Sequence, residues 1–308
     1  MEIDGKKLET DALLTIVIPV YNEEKSLERL VPVILEVCEQ NNWQAIFVND
    51  GSSDNSAKIL EMLTQFSSKA TVFHHKINRG YGAALKSGIR RTKTPYLITM
   101  DADGQHRVED IRELLDVALS TNADLVIGRR DKYSSESVYR TIGKKLIYLF
   151  TSILMPLPVK DINSGFKLYR TRLAKIFLQL CPDSMAFSDV MTLVFVYRRH
   201  LVLEHPIQVL PRSSGRSTIT TRTAFETIIE IFNIILLFNP LRIFLPLSFS
   251  MILVGIFWSA GVYIIVRRGM SVGGMLAIVT GLVFLAIGLL SNLISDWRMR
   301  ELEEQIES

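Results

Sequence analysis

Short runs of β-branched and other apolar residues alternate, over the first half of the chain, with longer segments whose apolar residues recur every three or four positions. The short runs predict strands and the longer segments predict helices. Such alternation is typical of an α/β domain with a mostly parallel sheet. The predicted strands are 14–20, 45–48, 71–74, 95–100 and 124–127, and the predicted helices are 24–40, 55–66, 81–91 and 108–120.

The last quarter of the chain has a different pattern, because residues 243–266 and 269–295 contain no charged side chain. Each stretch exceeds the roughly 20 residues that cross a bilayer core as a helix. We therefore predict two transmembrane helices, at about 243–266 and 273–295. The alternative is a pair of buried helices in a soluble core, although such helices rarely run this long without a charge.

Residues 224–239 precede the first apolar stretch and separate a narrow polar stripe from a broad apolar face. This pattern predicts an amphipathic helix in the membrane interface, and a helix packed on the soluble domain is the alternative. The predicted domains are therefore an α/β domain at 1–220, a juxtamembrane amphipathic helix at 221–241, a transmembrane hairpin at 242–297 and a cytosolic tail at 298–308.

Composition and charge narrow the location of the α/β domain. The two cysteines form no disulfide framework, and the polar residues 1–11 do not form a signal peptide, so we expect a cytosolic domain at the inner membrane. The arginines flanking the apolar stretches do not decide the orientation. A net charge of +3 in 308 residues is too small to indicate a nucleic-acid partner.

Unusual polar clusters follow several predicted strands, and the strongest contains Asp101 and Asp103. Side chains two residues apart in extended backbone point to the same side. Paired carboxylates suit a hard cation such as Mg²⁺ or Mn²⁺, which leaves coordination positions for substrate phosphates. Ligands of open α/β sheets bind at these strand ends. The alternative is an acidic turn in which an aspartate caps the next helix.

Two further clusters have weaker signals. Asp50 follows an apolar strand and is placed to hydrogen bond a base or ribose, although a helix-capping loop is an alternative. The glycines of Asn78-Arg79-Gly80-Tyr81-Gly82 allow close backbone approach, and Arg79 suits a phosphate. Neither a complete P-loop nor Gly-x-Gly-x-x-Gly occurs, which argues against an ordinary NTPase or dehydrogenase.

Together these motifs resemble the inverting nucleotide-sugar transferases of glycosyltransferase family 2, over about residues 14–217. The motifs are Pro19-x-Tyr21-Asn22-Glu23, Asn49-Asp50-Gly51-Ser52, Asn78-x-Gly80-x-Gly82-Ala83 and Asp101-x-Asp103. Residues 101–106 and 159–166 and the two apolar stretches are most similar to the polyprenyl-phosphate glycosyltransferases. The chain departs from the family at Asn49, where aspartate is usual, and at Gly215-Arg216-Ser217-Thr218, where Gly-x-Ser-Lys is usual.

This resemblance implies a GT-A type fold and the inverting transfer of one hexose from a nucleotide sugar to a polyprenyl phosphate, in cell-envelope glycosylation. UDP-glucose is the first choice of donor and GDP-mannose the second. The membrane and a second copy of the chain are the other expected partners. The predicted catalytic residues are Asp101, Asp103 and Asp161, and the predicted ligands of Mg²⁺ or Mn²⁺ are Asp101, Asp103 and Gln105.

The remaining predicted site residues fall into two groups. The nucleotide-sugar contacts are Pro19, Tyr21, Glu23, Asn49, Asp50, Arg79, Gly82, Asp101 and Ala102, with Arg79 chosen for its charge rather than by resemblance. The acceptor-phosphate contacts are Arg130, Arg140, Arg212, Arg216 and Ser217. A phosphate monoester has its second pKa near about 6, so this acceptor needs cations more than a general base.

Two rival functions remain open on the sequence. One is a membrane glycosyltransferase that uses another lipid or a polysaccharide acceptor, although the Gln-x-x-Arg-Trp string of processive synthases is absent. The other is a non-catalytic, nucleotide-sensing membrane module. Asp189 lies roughly where relatives with hydroxyl acceptors place a base, a role that a phosphate acceptor makes superfluous.

Overall fold

The computed structural model of the protein describes residues 2–3, 6–7, 11–130, 159–210, 240–267 and 271–307. The chain divides into two compact units. The described residues up to 210 belong to the first unit, and residues 240–307 belong to the second. The predicted interfacial helix and the predicted boundary at 220 fall outside the described residues, as do Arg140, Arg212, Arg216 and Ser217.

The first unit is built on a seven-stranded sheet within the described residues. Its strands lie in the order β5-β4-β3-β6-β8-β7-β9, and β8 is antiparallel to both of its neighbours while all other pairs are parallel. The strands are β3 (Leu14–Val20), β4 (Gln44–Asn49), β5 (Ala70–His74), β6 (Tyr96–Thr99), β7 (Leu125–Arg130), β8 (Lys167–Arg170) and β9 (Val202–Ile207), preceded by the hairpin β1 (Glu2–Ile3) and β2 (Lys6–Lys7). The predicted mostly parallel sheet is confirmed.

Helices cover this sheet because their apolar stripes match its apolar strands. Leu27, Val31 and Ile34 of α1 are buried in the same cluster as Ile16 and Ile18 of β3. Strands covered on both faces are largely apolar, and β3 is apolar at every position except the buried Thr15. The helices of this unit are α1 (Glu24–Asn41), α2 (Ser56–Thr64), α3 (Tyr81–Arg91), α4 (Val108–Thr121), α5 (Thr171–Phe177) and α6 (Phe187–Tyr197).

The two cysteines are both buried and both free, as the sequence predicted. Cys38 lies on α1 and Cys181 lies between α5 and α6. Burial raises the pKa of each thiol to about 12. Both cysteines therefore act as small apolar side chains of the core rather than as reactive groups.

The sequence patterns did not reveal β8 and β9. β8 has only four residues and carries Lys167 inside the protein, so it lacks an apolar run. β9 contains Pro206, a residue that normally argues against a strand. The structure resolves this conflict by placing β9 at the edge of the sheet, where a proline removes no ladder hydrogen bond on the outer side.

In its described part, residues 240–267 and 271–307, the second unit contains two long helices, α7 (Leu241–Val266) and α8 (Val272–Glu307). Both are long and apolar enough to cross a membrane. They pack through small residues, since a Cβ on Gly274 would lie 1.9 Å from Ser259 Oγ. α8 continues to residue 307, through the segment predicted as a tail, because residues 298–307 contain no helix-breaking glycine or proline.

We predict that Gly88→Leu destabilises the first unit, because a Cβ at Gly88 of α3 would lie 2.4 Å from Val17 Cγ1 of β3. Overpacking of this kind costs about 1–3 kcal/mol. The measurement is the melting temperature of the full-length protein in detergent. Gly261→Leu is the matched control, since a Cβ there meets nothing within 4 Å. Equal melting temperatures for the two variants would contradict the prediction.

Candidate functional site

A cavity of about 350 Å³ lies where β3, β4 and β6 end. Parallel pairing aligns these strands, with Val20 opposite Asn49 and Val17 opposite Thr99. The residues that follow each strand therefore meet at one edge of the sheet. The cavity is lined by Pro19, Val20, Tyr21, Glu23, Asp50, Asn78, Gly80, Tyr81, Ala84, Asp101, Ala102, Asp103 and Met185.

Six of the predicted nucleotide-sugar residues are in this lining: Pro19, Tyr21, Glu23, Asp50, Asp101 and Ala102. The other three, Asn49, Arg79 and Gly82, lie nearby with other contacts. Asn49 accepts a hydrogen bond from the Ser52 backbone N–H at 3.2 Å and lies 3.0 Å from His74 Nδ1, so its side chain shapes the loop after β4.

Asp101 follows the carboxyl end of β6 and is held there by Tyr81, whose hydroxyl donates a hydrogen bond to Asp101 Oδ1 at 2.9 Å. Burial and the adjacent Asp101 charge together raise the pKa of Tyr81 well above its ordinary value, so the tyrosine stays a donor. The turn at Gly165 closes the other side, because a Cβ there would lie 2.7 Å from Asp101 Oδ2. Tyr81 was not predicted as a site residue from the sequence, although it lies between Gly80 and Gly82 of the motif at 78–83.

Asp103 lies two residues further on and accepts a hydrogen bond from the Gln105 backbone N–H at 3.1 Å. This short turn needs a positive φ of 72° at Gly104, a conformation that glycine adopts without strain. The Gln105 side chain instead donates to the Leu210 carbonyl at 3.4 Å, and Gln105 is not among the cavity-lining residues. Of the three predicted metal ligands, the structure therefore brings Asp101 and Asp103 together at the cavity.

The donor set fits a hard divalent cation. The carboxylates of Asp101 and Asp103 line the same cavity, and carboxylate oxygens are the preferred protein ligands of Mg²⁺ and Mn²⁺. The described residues contain no group of three or more His, Cys, Asp or Glu suited to a metal. A cation here would take its remaining ligands from water and substrate phosphates, as Mg²⁺ commonly does.

The glycines that open α3 are required by the protein's own backbone. A Cβ on Gly80 would lie 2.5 Å from the Asp183 carbonyl oxygen, and a Cβ on Gly82 would lie 2.4 Å from that of Pro182. Lys86 of α3 also reaches Asp183, with 2.6 Å between Nζ and Oδ1. The glycines were predicted to allow close backbone approach, and the backbone that approaches them is that of segment 182–184. This segment places Met185 at the cavity.

Arg130 and Asp161, predicted to contact different parts of the substrates, form one ion pair. Arg130 Nε and Nη2 each donate to a separate Asp161 oxygen at 2.8 Å, and the Arg130 backbone N–H donates at 3.1 Å. Burial acts to raise the pKa of Asp161, but the hydrogen bonds and charge of Arg130 outweigh it and hold that pKa below its ordinary value. Glu204 orients the same turn by accepting from the Asp161 backbone N–H at 2.8 Å.

A buried lysine behind this pair was not found from the sequence. Lys167 Nζ donates to the carbonyls of Ile162 and Ser188 at 2.6 and 2.7 Å and to Thr192 Oγ1 at 2.7 Å. Burial lowers the pKa of Lys167 to about 8. These contacts join β8, α6 and the turn before Gly165. The lysine therefore fixes the turn that packs against Asp101.

Comparisons with known proteins place this architecture in a family. A sequence profile described as "Glycosyl transferase family 2" matches residues 15–177, which is more than half of the chain. The chain belongs to glycosyl transferase family 2. A second profile, "GtrB C-terminal hairpin", matches residues 239–297.

Curated proteins from two bacteria are similar in sequence to part of this chain. One from Proteus mirabilis is 32% identical over 189 residues, covering 60% of this chain and 57% of the relative. One from Salmonella paratyphi B is 28% identical over 208 residues, covering 66% and 62%. Both are named undecaprenyl-phosphate 4-deoxy-4-formamido-L-arabinose transferase. The chain therefore spans less than two thirds of the length of these relatives.

Solved structures support the GT-A type fold. Glucosyl-3-phosphoglycerate synthase from Mycobacterium tuberculosis with phosphoglyceric acid gives a TM-score of 0.56 at 15% identity, covering 73% of this chain and 80% of that one. The same enzyme with Mn²⁺, UDP and phosphoglyceric acid gives 0.54 at 16% identity, covering 72% and 78%. Staphylococcus aureus TarS 1–349 with UDP-GlcNAc gives 0.51 at 15% identity, covering 73% and 66%. The predicted fold is confirmed.

We predict that Asp161→Asn lowers stability by about 1–2 kcal/mol at pH 7, because Arg130 loses a charged, two-point partner that is only partly exposed. The folded-state pKa of Asp161 is depressed, so this stabilisation is present above the unfolded-state pKa and is lost as the pH falls through the folded-state value. The gap in melting temperature between wild type and variant should therefore shrink on acidification below about pH 4.

The matched control is Asp116→Asn, which neutralises an exposed carboxylate on α4. It should shift the melting temperature little at either pH. A gap for Asp161→Asn that stays constant between pH 7 and pH 3 would contradict the assigned role of the ion pair.

Proposed function

We propose that this protein transfers a single sugar, with inversion, from a nucleoside diphosphate donor to a polyprenyl phosphate at a membrane. The observation that carries the proposal is the convergence of Asp50, Asp101 and Asp103 on one cavity in a family 2 fold. Two apolar helices long enough to cross a membrane, together with the undecaprenyl-phosphate named for the relatives, support a lipid acceptor.

Different cavity residues are candidates for binding the nucleoside and the diphosphate of the donor. Glu23 and Asp50, at the ends of β3 and β4, are our candidates for the nucleoside. Asp101 and Asp103, at the end of β6, are candidates for the diphosphate through Mg²⁺ or Mn²⁺. A bound divalent cation would supply electrostatic stabilisation of the negative charge that develops on the departing diphosphate. Tyr81 and the turn at Gly165 hold Asp101 in place for this purpose.

The acceptor phosphate oxygen forms the new bond to the anomeric carbon, while the bond from that carbon to the diphosphate oxygen breaks. Since a phosphate monoester is largely dianionic at neutral pH, no side chain has to remove a proton from it. Its approach to a diphosphate is unfavourable without cations. Arg130, positioned by Asp161, is one proposed source, and Arg140, Arg212, Arg216 and Ser217 remain sequence-based proposals.

UDP-glucose remains our first choice of donor and GDP-mannose our second, and the relatives' names add 4-deoxy-4-formamido-L-arabinose as a candidate sugar. We also propose that the hairpin of α7 and α8 lies in the bacterial inner membrane with the α/β unit on the cytosolic side, and that the protein is a homo-oligomer. The neighbours that bind UDP, one of them with Mn²⁺, support a uridine nucleotide and a divalent cation.

The test uses the full-length protein in detergent with undecaprenyl phosphate, Mn²⁺ and a panel of donors. The panel contains UDP-glucose, GDP-mannose and the UDP derivative of 4-deoxy-4-formamido-L-arabinose, and the product is detected by mass spectrometry of the lipid fraction. We expect one lipid-linked sugar that also requires the cation. If no donor binds and none gives a lipid product, the proposed function is wrong.

We predict that Asp103→Asn reduces transfer by at least about 100-fold, because the amide removes a negative charge that the cation needs. The melting temperature should change little, since the Asp103 side chain lies at the cavity rather than in the apolar core. Asp116→Asn is the matched control and should keep full activity. Normal transfer by Asp103→Asn would show that this carboxylate does not serve the reaction.

A further inference from the structure

Three polar side chains form a buried hydrogen-bonded series that ends at the cavity. Ser87 Oγ of α3 lies 2.8 Å from His75 Nε2, and His75 Nδ1 lies 2.5 Å from Asp50 Oδ1. The three residues are 7%, 7% and 3% exposed. Asp50 also lines the cavity, so the series connects the interior behind β5 to the proposed nucleoside position.

The ring of His75 is fixed from several directions. Its backbone N–H donates to the Asn49 carbonyl at 2.9 Å, which continues the pairing of β4 and β5 by one residue. Phe73 contacts the ring edge-on, with centroids 5.6 Å apart and planes at 88°. With Ser87 on Nε2, the imidazole presents Nδ1 to Asp50 and has no room to turn away.

An inventory of acceptor positions shows what this arrangement leaves available. An ionised carboxylate oxygen accepts about two hydrogen bonds. Asp50 Oδ1 receives two, from His75 Nδ1 and from the Arg79 backbone N–H at 3.0 Å. Asp50 Oδ2 receives one, from the Gly80 backbone N–H at 2.8 Å. One acceptor position therefore remains, and it is on Oδ2.

We propose that His75, held by Ser87, is a positioning residue that saturates Asp50 Oδ1 and so limits Asp50 to one hydrogen bond with the donor's nucleobase. This inference rests on the proposed function, because it assigns the nucleobase to the cavity described above. It deepens that function by selecting the class of base, through a side-chain pair that the sequence motifs do not contain.

With a single acceptor position left, Asp50 favours a nucleobase whose edge carries one hydrogen-bond donor between two acceptors. Uracil presents its N3–H between two carbonyl oxygens, and one carboxylate position is sufficient for it. Guanine presents N1–H beside an exocyclic amine, and these two donors pair best with both oxygens of a carboxylate. Since His75 and the Arg79 backbone occupy Oδ1, guanine would leave one of these two donors without a partner on Asp50, which weakens its binding relative to uracil.

The experiment is calorimetric titration of the full-length protein in detergent with UDP or GDP, each with Mn²⁺. We expect wild type to bind UDP more tightly than GDP. His75→Leu should weaken UDP binding about tenfold, the effect of one lost charge-assisted contact, and should narrow the preference over GDP because Oδ1 becomes accessible. His75→Asn should bind UDP within about threefold of wild type, since its amide nitrogen can replace Nδ1 as the donor.

Two further variants keep the test decisive. His205→Leu removes a histidine on β9 that is not among the cavity-lining residues and should leave UDP affinity unchanged. Ser87→Ala deletes only a hydroxyl. It tests the positioning role of His75 even if His75→Leu does not fold. It should weaken UDP binding about threefold and GDP binding less, because the imidazole is then held less firmly.

The inference is overturned if wild type prefers GDP, if both nucleotides lose affinity by the same factor in His75→Leu or Ser87→Ala, or if His75→Asn recovers nothing. Failure of the proposed function gives different results. UDP binding with these effects but without sugar transfer would refute the reaction and leave the role of His75 supported. Absence of binding by either nucleotide would refute both.

Discussion

Parallel pairing of β3 with both β4 and β6 is the constraint on which the site depends. It ends three strands at one edge of the sheet, so residues from positions 19 to 23, 50 and 101 to 103 meet although they are far apart in sequence. Parallel strands need crossover connections, which α1 provides between β3 and β4 and which α2, β5 and α3 provide between β4 and β6. The packing of α3 on β3 at Gly88 is therefore part of how the cavity is built.

The carboxylates predicted as site residues have two physical roles. Asp50 and Asp161 are anchored by several donors each, His75 and two backbone amides in the first case and Arg130 in the second. These anchors fix loops that no regular secondary structure holds. Asp101 and Asp103 both line the cavity, and this pair of carboxylates suits a cation. The same side-chain chemistry thus provides both scaffold and candidate ligand.

The sequence was most informative where a local pattern determines the structure. The strand containing Ile16 and the helix containing Leu27 were predicted because periodicity is a property of neighbouring residues. The pair Asp101 and Asp103 was found for the same reason. Contacts made by distant segments left no such pattern, as with Ser87 on His75, Arg130 on Asp161 and Lys167 on the Ser188 carbonyl. β9 escaped prediction because Pro206 argues against a strand in the sequence, and the edge position that accommodates it depends on pairing with the distant strand β7.

The packing of segment 182–184 against Gly80 and Gly82 has a consequence for how this cavity can diversify. Met185 is 72% exposed, yet the backbone just before it contacts glycines that tolerate no side chain. The backbone before Met185 is therefore held in place, while the exposed Met185 side chain has few constraints. Substitutions at this one position can therefore change the cavity wall without a change in the backbone that supports it.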